Sequence, residues 1–513
     1  MRLVPKGRGP RRSKEPRAPQ RKMTIAYAIL LLALAYIVWY SATHIDAPSN
    51  LDDDTAYMLI GIAAASGHLA PALGNVYSLR LMMALPIAAS YLAFGFSQAS
   101  SAMWDIVSYI GSAVVAFFIG RELCDEYSGA VAALLLAFVP QVAALATTVD
   151  DMVPLMFITS LAMLCLILGR RRGSLPQHFL AGALLVAAIL VSPLGAIIAL
   201  LAVLLILADL LYKRGSARGA ACFFGGIALG VAALMLFNYL NTGNPATTFI
   251  GYISYYSSEN IGAVLNLNPA LFYLNAASQA FGYSDYGPGS LYFYAVVFSF
   301  AYLAWRGERR AAVPALWFGF AFLYLSVGPM HISLDPFAYD IIPGVWRYLD
   351  LAAVPMALTI GIAVSDFLVQ SLRLFARRRN MLFMLPAATV IAILALMLYG
   401  SFTSTISVYS GSVSGLAADR QVASYLSSLQ ANSTLYVPEF LPYLLTFTQL
   451  YSNGRVGFAN VVLQSQESGC GAVEGPAHVV VPASWLEAVR GCTGWVQVLN
   501  VTGFAAVYYV GAQ

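Results

Sequence analysis

Residues 23–43 read MTIAYAILLLALAYIVWYSAT, 21 positions without a charge. As a helix rising about 1.5 Å per residue, this run is long enough to cross the roughly 30 Å hydrocarbon core of a bilayer. It follows Arg21-Lys22 and closes a tail, residues 1–22, that holds nine Lys/Arg against one Glu. The positive-inside rule then keeps the N-terminus in the cytoplasm. The apolar run is long and no A-x-A site follows it, so a retained anchor is expected rather than a cleaved leader. The Pro/Arg-rich tail is expected to be disordered.

The rest of the 513 residues extends this reading. Hydrophobic residues make up 59% and charged residues 10%, and mean hydropathy is +0.73. A soluble domain carries about 25% charge. A cytosolic enzyme, a coiled coil and a disordered scaffold are therefore excluded in favour of a polytopic membrane protein. The net charge of +4 is uneven: the tail contributes +8, and the remainder holds 19 basic and 23 acidic residues. Basic charge gathered in a tail and small loops offers no face for a nucleic acid. The five cysteines contain no CxxC pair, so neither a zinc site nor a redox motif is indicated.

Further apolar segments run over 79–97, 102–120, 129–148, 153–169, 179–192, 194–212, 219–240, 289–305, 311–327, 348–369 and 381–400. Basic clusters separate them: Arg170 to Arg172; Lys213, Arg214 and Arg218; Arg306, Arg309 and Arg310; Arg373 with Arg377 to Arg379. Placing every cluster inside requires an even number of crossings before Arg170, and five candidates precede it. The weakest, 78–97, carries Arg80 and Pro86 and is read as a juxtamembrane or re-entrant element on the outer side. An all-α bundle of about 11 transmembrane helices follows (domain 23–400), with large external loops at 44–101 and 241–288 and an external C-terminus. From residue 401 to 513 the composition turns ordinary. Short runs such as Val479 to Val481 and Val507 to Val510, with helical stretches near 419–429 and 485–490, indicate a small extracytoplasmic α/β domain. Its sequons at Asn432 and Asn500 add little. Cys470 and Cys492 either pair in an oxidising compartment or stay free.

Few ionisable groups are left near the outer membrane face. Arg80 and Arg347 stand there among carboxylates that include Asp52, Asp53, Asp54, Asp150 and Asp151. Charge this close to hydrocarbon is costly and usually functional. Asp52-Asp53-Asp54 precedes a short apolar helix beginning near Tyr57. Capping that helix would explain one acid, but three exceed the need, and like charges raise one another's pKa. Asp150-Asp151 either ends the 129–148 span in water or faces a cleft, where the two acids would hold an amine, a hydroxyl or a metal.

The order of these motifs resembles the glycosyltransferase C (GT-C) superfamily, with the nearest likeness to the protein O-mannosyltransferases and aminoarabinose transferases. The likeness rests on Asp53-Asp54-Thr55-Ala56-Tyr57 with Gly67-His68, on the 121–129 inner loop, and on Pro140 followed by Asp151 and Phe157. It continues through Leu180 to Ala183, Ser192 to Gly195, and Trp346-Arg347-Tyr348 before Pro355. It spans about residues 23–400, and the α/β tail also looks familiar for these enzymes. There are departures. Asp54 stands where Glu is commoner, Tyr77 to Arg80 replaces a Lys-Pro-Pro motif, and the Trp-Trp-Asp motif of oligosaccharyltransferases is missing, which argues against transfer of a whole oligosaccharide.

The resemblance implies a polyprenyl-phosphate sugar donor in the outer leaflet and an acceptor that is protein, lipid or glycan. The expected reaction is a single inverting displacement. Asp53 is the expected base, with Asp54 and Asp151 beside it in the catalytic set and Asp151 orienting the acceptor. Arg347, Arg80 and His331 would stabilise the leaving phosphate, and Tyr57 and Asp150 complete the substrate contacts. Arg347 has a second reading, a pair with Asp350 one turn on. A divalent cation held by Asp52, Asp54 and Asp151 is open, but none is expected to be required. Tyr252, Tyr255, Tyr256, Tyr283 and Tyr286 fit either sugar stacking or an interfacial aromatic belt. A secondary transporter and a non-catalytic protein binding lipid-linked sugar remain as alternatives. A transporter should show an internal repeat with midplane charges, and no repeat is evident.

Overall fold

The computed structural model describes residues 20–45, 53–67, 69, 76–212, 215–258, 290–327, 346–379, 381–415, 421–422, 424–426, 428, 434–438, 460–464, 477–482, 492, 495–501 and 505–510. The first half of the chain folds into α1 (Gln20–Thr43), α2 (Asp53–Ala65), α3 (Leu81–Phe94), α4 (Gln98–Leu123), α5 (Glu126–Ala137), α6 (Pro140–Leu145), α7 (Met152–Arg172), α8 (Leu175–Val191), α9 (Gly195–Leu211), α10 (Ala217–Thr242) and α11 (Thr247–Ser258). Then follow α12 (Ser290–Arg306), α13 (Ala312–Val327), α14 (Ala353–Arg378) and α15 (Leu385–Gly415). Among the described residues six helices are long and apolar enough to cross a membrane: those beginning at Thr24, Gln98, Met152, Ala217, Tyr348 and Leu385. Shorter apolar helices at Leu81–Phe94, Glu126–Ala137, Leu175–Val191 and Gly195–Leu211 fill in between them.

Local chemistry sets several ends. Ser97 and Ser100 form a reciprocal capping box at the start of α4. Asp125 accepts from the Ser128 amide at 2.7 Å to open α5. Gly173, left-handed at φ 65°, closes α7 after Arg170, Arg171 and Arg172.

α7 and α14 are the most enclosed spans, with 83% and 78% of their apolar windows buried, whereas α10 and α15 show 22% each. The first pair is therefore enclosed by the rest of the bundle, and the second pair lies largely exposed on its outside. Small residues let backbones touch there. A Cβ on Gly120 of α4 would fall 2.5 Å from the Gly129 Cα of α5. One on Gly182 of α8 would strike the Phe223 carbonyl of α10.

Two segments differ from expectation. The 129–148 run is two helices, because Pro140 has no N–H to continue α5 and its ring clashes with the carbonyl four residues back. Beside the break the Tyr109 hydroxyl donates to Ala137 O at 2.5 Å; Leu135 O, which already accepts from the Phe138 amide, also receives the Tyr292 hydroxyl at 3.2 Å. The last membrane helix also runs past residue 400 to Gly415. The 79–97 segment becomes α3, 14 residues with Pro86 inside. At about 21 Å it is too short to cross the bilayer unaided.

The C-terminal part contains a mixed five-stranded sheet in the order β2-β1-β3-β5-β4. Its strands are β1 (Thr434–Pro438), β2 (Asn460–Gln464), β3 (Ala477–Pro482), β4 (Trp495–Val501) and β5 (Ala505–Val510). β1 runs parallel to β2 and β3, and β5 runs antiparallel to β3 and β4. The expected runs around Val479 to Val481 and Val507 to Val510 are its two central neighbours. His478 on β3 faces Tyr509 on β5, rings 5.2 Å apart, and burial pushes its imidazole below the usual 6.5. Residues 421–422 and 424–426 are helical; the expected helix at 485–490 lies outside the described residues. Cys492 is disulfide-bonded; Cys470, with which the sequence left pairing open, lies outside the described residues.

Candidate active site

The site is assembled from three separate stretches. α2 begins on Asp53 and Asp54, so both acids sit in its first turn, where the helix dipole favours negative charge. Asp54 is buried and Asp53 only partly so. The chain returns in a 3₁₀ turn, Val76–Leu79, and enters α3 through Arg80. The Tyr77 hydroxyl donates to Asp53 Oδ1. The Arg80 guanidinium donates to the Tyr57 hydroxyl and lies 5.5 Å and 5.6 Å from the Tyr57 and Tyr77 ring centroids. Those two rings meet edge-on at 5.4 Å.

The third stretch is the turn between α6 and α7. Asp151 leads into α7, and its Oδ2 lies 2.6 Å from Arg80 Nη1 with side-chain exposures of 2% and 12%. Asp150 caps the helix instead, its Oδ1 accepting from the Met152 amide at 2.7 Å. The Asp150 amide in turn donates to Asp105 Oδ1 at 3.1 Å. Asp105, on α4, is fully buried and within Coulombic range of Asp54, Asp150 and Asp151.

A 3₁₀ turn at Trp346–Ala352 packs against α7. It carries Arg347, whose side chain is outside the described residues, and Asp350, which is fully buried. Neither Asp350 oxygen has a hydrogen-bond partner among the described residues. Asp52, His331, Tyr283 and Tyr286 lie outside those residues. Tyr252 is on α11, which packs on the 76–79 turn. Among the described residues no group of three or more His, Cys, Asp or Glu side chains has the arrangement to hold a metal ion.

Of the residues singled out in the sequence, the structure thus brings Asp53, Asp54, Tyr57, Arg80, Asp150 and Asp151 to one place. A half-buried carboxylate beside a largely dry guanidinium is an arrangement suited to a base next to an anion stabiliser. Three participants were not anticipated. Asp105 was legible as an acid inside an apolar span. Tyr77 had a weaker signal, an aromatic three residues before Arg80. Asp350 is legible as an acid near a span end, one turn from Arg347.

The structure matches the crystal structure of ArnT from Cupriavidus metallidurans in the apo state over 96% of this chain and 100% of that one, with TM-score 0.60 and 15% identity. The chain has the GT-C fold. The form of that protein bound to undecaprenyl phosphate matches at TM-score 0.61 and 15% identity, over 97% of this chain and 100% of that one. The archaeal oligosaccharyltransferase AglB from Archaeoglobus fulgidus, in complex with an inhibitory peptide and a dolichol-phosphate, matches at TM-score 0.51 and 13% identity, over 88% of this chain and 66% of that one. In sequence, the family model for dolichyl-phosphate-mannose-protein mannosyltransferase matches residues 80–237. That stretch begins on Arg80 and contains Asp105, Asp150 and Asp151. No curated protein matches by sequence. The GT-C likeness read from the motif order therefore holds for the fold.

Proposed function

We propose that this protein is a membrane glycosyltransferase that moves one sugar from a polyprenyl-phosphate donor to an acceptor hydroxyl or amine on the external face of the membrane. The observation that carries the reading is the Arg80 guanidinium joined to Asp151 and Tyr57, with the Asp53 carboxylate held next to it by Tyr77. In this reading Asp53 takes the acceptor proton, and the Tyr77 hydrogen bond fixes its direction at some cost in basicity. Asp151 orients the acceptor and Arg80, and Arg80 with Arg347 stabilises the departing phosphate. Attack opposite the leaving group in one step inverts the anomeric carbon. A guanidinium already serves as the cation beside Asp151, so a divalent metal is not assigned a step.

The external placement rests on helix polarity. α7 carries Asp150 and Asp151 at its start and Arg170, Arg171 and Arg172 in its last turn. Its 21 residues span about 31 Å, the thickness of the hydrocarbon core. α4 and α14 have the same sense, with Arg121 and Arg377-Arg378 in their last turns. If the basic ends are cytoplasmic, the acids are outside, in the compartment where the Cys492 disulfide would persist. The 44–101 and 241–288 loops and the C-terminal domain fall on that side.

The test uses purified full-length protein with a synthetic short-chain polyprenyl-phosphate mannose, mannose being the sugar named in the matched family. It is paired with mass spectrometry of the lipid that co-purifies. Transfer or donor hydrolysis that survives EDTA and is lost in Asp53→Ala supports the reading. Ion-coupled uptake in proteoliposomes without sugar release, or full activity of Asp53→Ala, overturns it.

A further inference from the structure

We infer that Asp105 and Tyr109, one turn apart on α4, are positioning residues that clamp the chain on either side of α6, at the break after α5 and at the turn before α7, and thereby set Asp151 against Arg80. The break at Pro140 leaves carbonyls at the end of α5 in a water-poor interior, where each needs a partner. Tyr109 supplies one, donating to Ala137 O at 2.5 Å. At the other end of the segment Asp105 Oδ1 accepts from the Asp150 amide at 3.1 Å. Both side chains are fully buried, so neither bond is exchanged for water. The two anchor points enclose Pro140–Leu145 and the turn after it, and Asp151 is the next residue in the chain. The Asp150 carboxylate is occupied in capping Met152, so the turn is held from outside by Asp105. A carboxyl at position 105 has no stated place in the transfer chemistry, and its cost inside a span is otherwise unexplained. Its use here is geometric: one helix face grips a discontinuous helix, and the grip fixes the distance between the two charges of the site.

The activity arm of this inference rests on the proposed transferase reading; the structural arm does not. Asp105→Ala removes the acceptor for the Asp150 amide, Asp105→Asn keeps an amide oxygen there, and Tyr109→Phe removes only the hydroxyl. In full-length protein, hydrogen exchange of peptides covering 146–152 should accelerate in Asp105→Ala and stay slow in Asp105→Asn. Peptides covering 137–139 should accelerate in Tyr109→Phe. With polyprenyl-phosphate mannose, kcat of Asp105→Ala should fall about 100-fold, as a misplacement of about 1 Å can produce. KM should change little, and Asp105→Asn should recover most of the rate. Unchanged exchange at 146–152 in Asp105→Ala overturns the inference, as does an equal loss of kcat in Asp105→Asn. If the parent protein transfers no sugar, the transferase reading fails while the exchange result still decides this one. Should Asp105→Ala not fold, Tyr109→Phe and Asp105→Asn carry the exchange test.

Discussion

Arg80→Met is the sharpest perturbation of the site, because methionine keeps much of the arginine stem and removes the charge. The Arg80–Asp151 pair is 2.6 Å long, and the two side chains are 12% and 2% exposed. Water screens it little, so the value of about 0–1 kcal/mol typical of surface pairs does not apply. Removing the cation leaves a buried carboxylate without its partner, a change that costs about 3–5 kcal/mol. Asp151→Asn in the Arg80→Met background removes the orphaned charge and should return most of that loss, because the two residues act as one unit. The assay is equilibrium unfolding in mixed micelles titrated with SDS, followed by fluorescence of the seven tryptophans. The single variants and the double variant close a cycle. An Arg80→Met variant within about 1 kcal/mol of the parent would place this pair among the surface ones. A double variant costing the sum of the singles would likewise refute the view that the charges are set against each other.

Other outcomes follow from the same geometry. Asp53→Ala should abolish transfer while melting close to the parent, since a carboxylate at a helix start contributes only about 0.3–1 kcal/mol. Tyr77→Phe should lower kcat less than Asp53→Ala does, because the base remains and only its orientation loosens; equal losses would assign Tyr77 a larger role. His478 has a folded value below 6.5, so its contribution is complete above pH 6.5. It should be lost as pH falls from there toward the folded value, because the unfolded chain takes the proton first. Melting of the C-terminal domain across that window should show the slope, and His478→Phe should flatten it. Gly182→Leu should prevent α8 and α10 from closing, since the obstacle is the Phe223 backbone carbonyl rather than a movable side chain; size-exclusion profiles in detergent would report the misfolding.

Legibility in the sequence followed the range of the interaction. The acids and the tyrosine of α2 are close in the chain, and their clustering at a helix start was readable from capping and dipole arguments. Arg80 was readable as a charge too near hydrocarbon to be idle. What was not readable was its partner: Asp151 is 71 positions away, and nothing in either residue's neighbours names the other. Asp105 shows the same limit. An acid near the end of an apolar segment is visible in the sequence, but its use depends on a turn contributed 45 residues later.

The sequence by itself determined that the chain lives in a membrane, roughly where its helices run, and that short strands close its C-terminal part. Those features depend on sums over adjacent residues, namely hydropathy across about 20 positions and alternation across a few. The break at Pro140 and the meeting of Arg80 with Asp151 were decided by the tertiary structure. A hydropathy sum does not register one missing N–H in an apolar run. Whether a buried carboxylate is idle, a clamp or part of a reacting centre depends on which distant groups packing brings within about 3 Å of it.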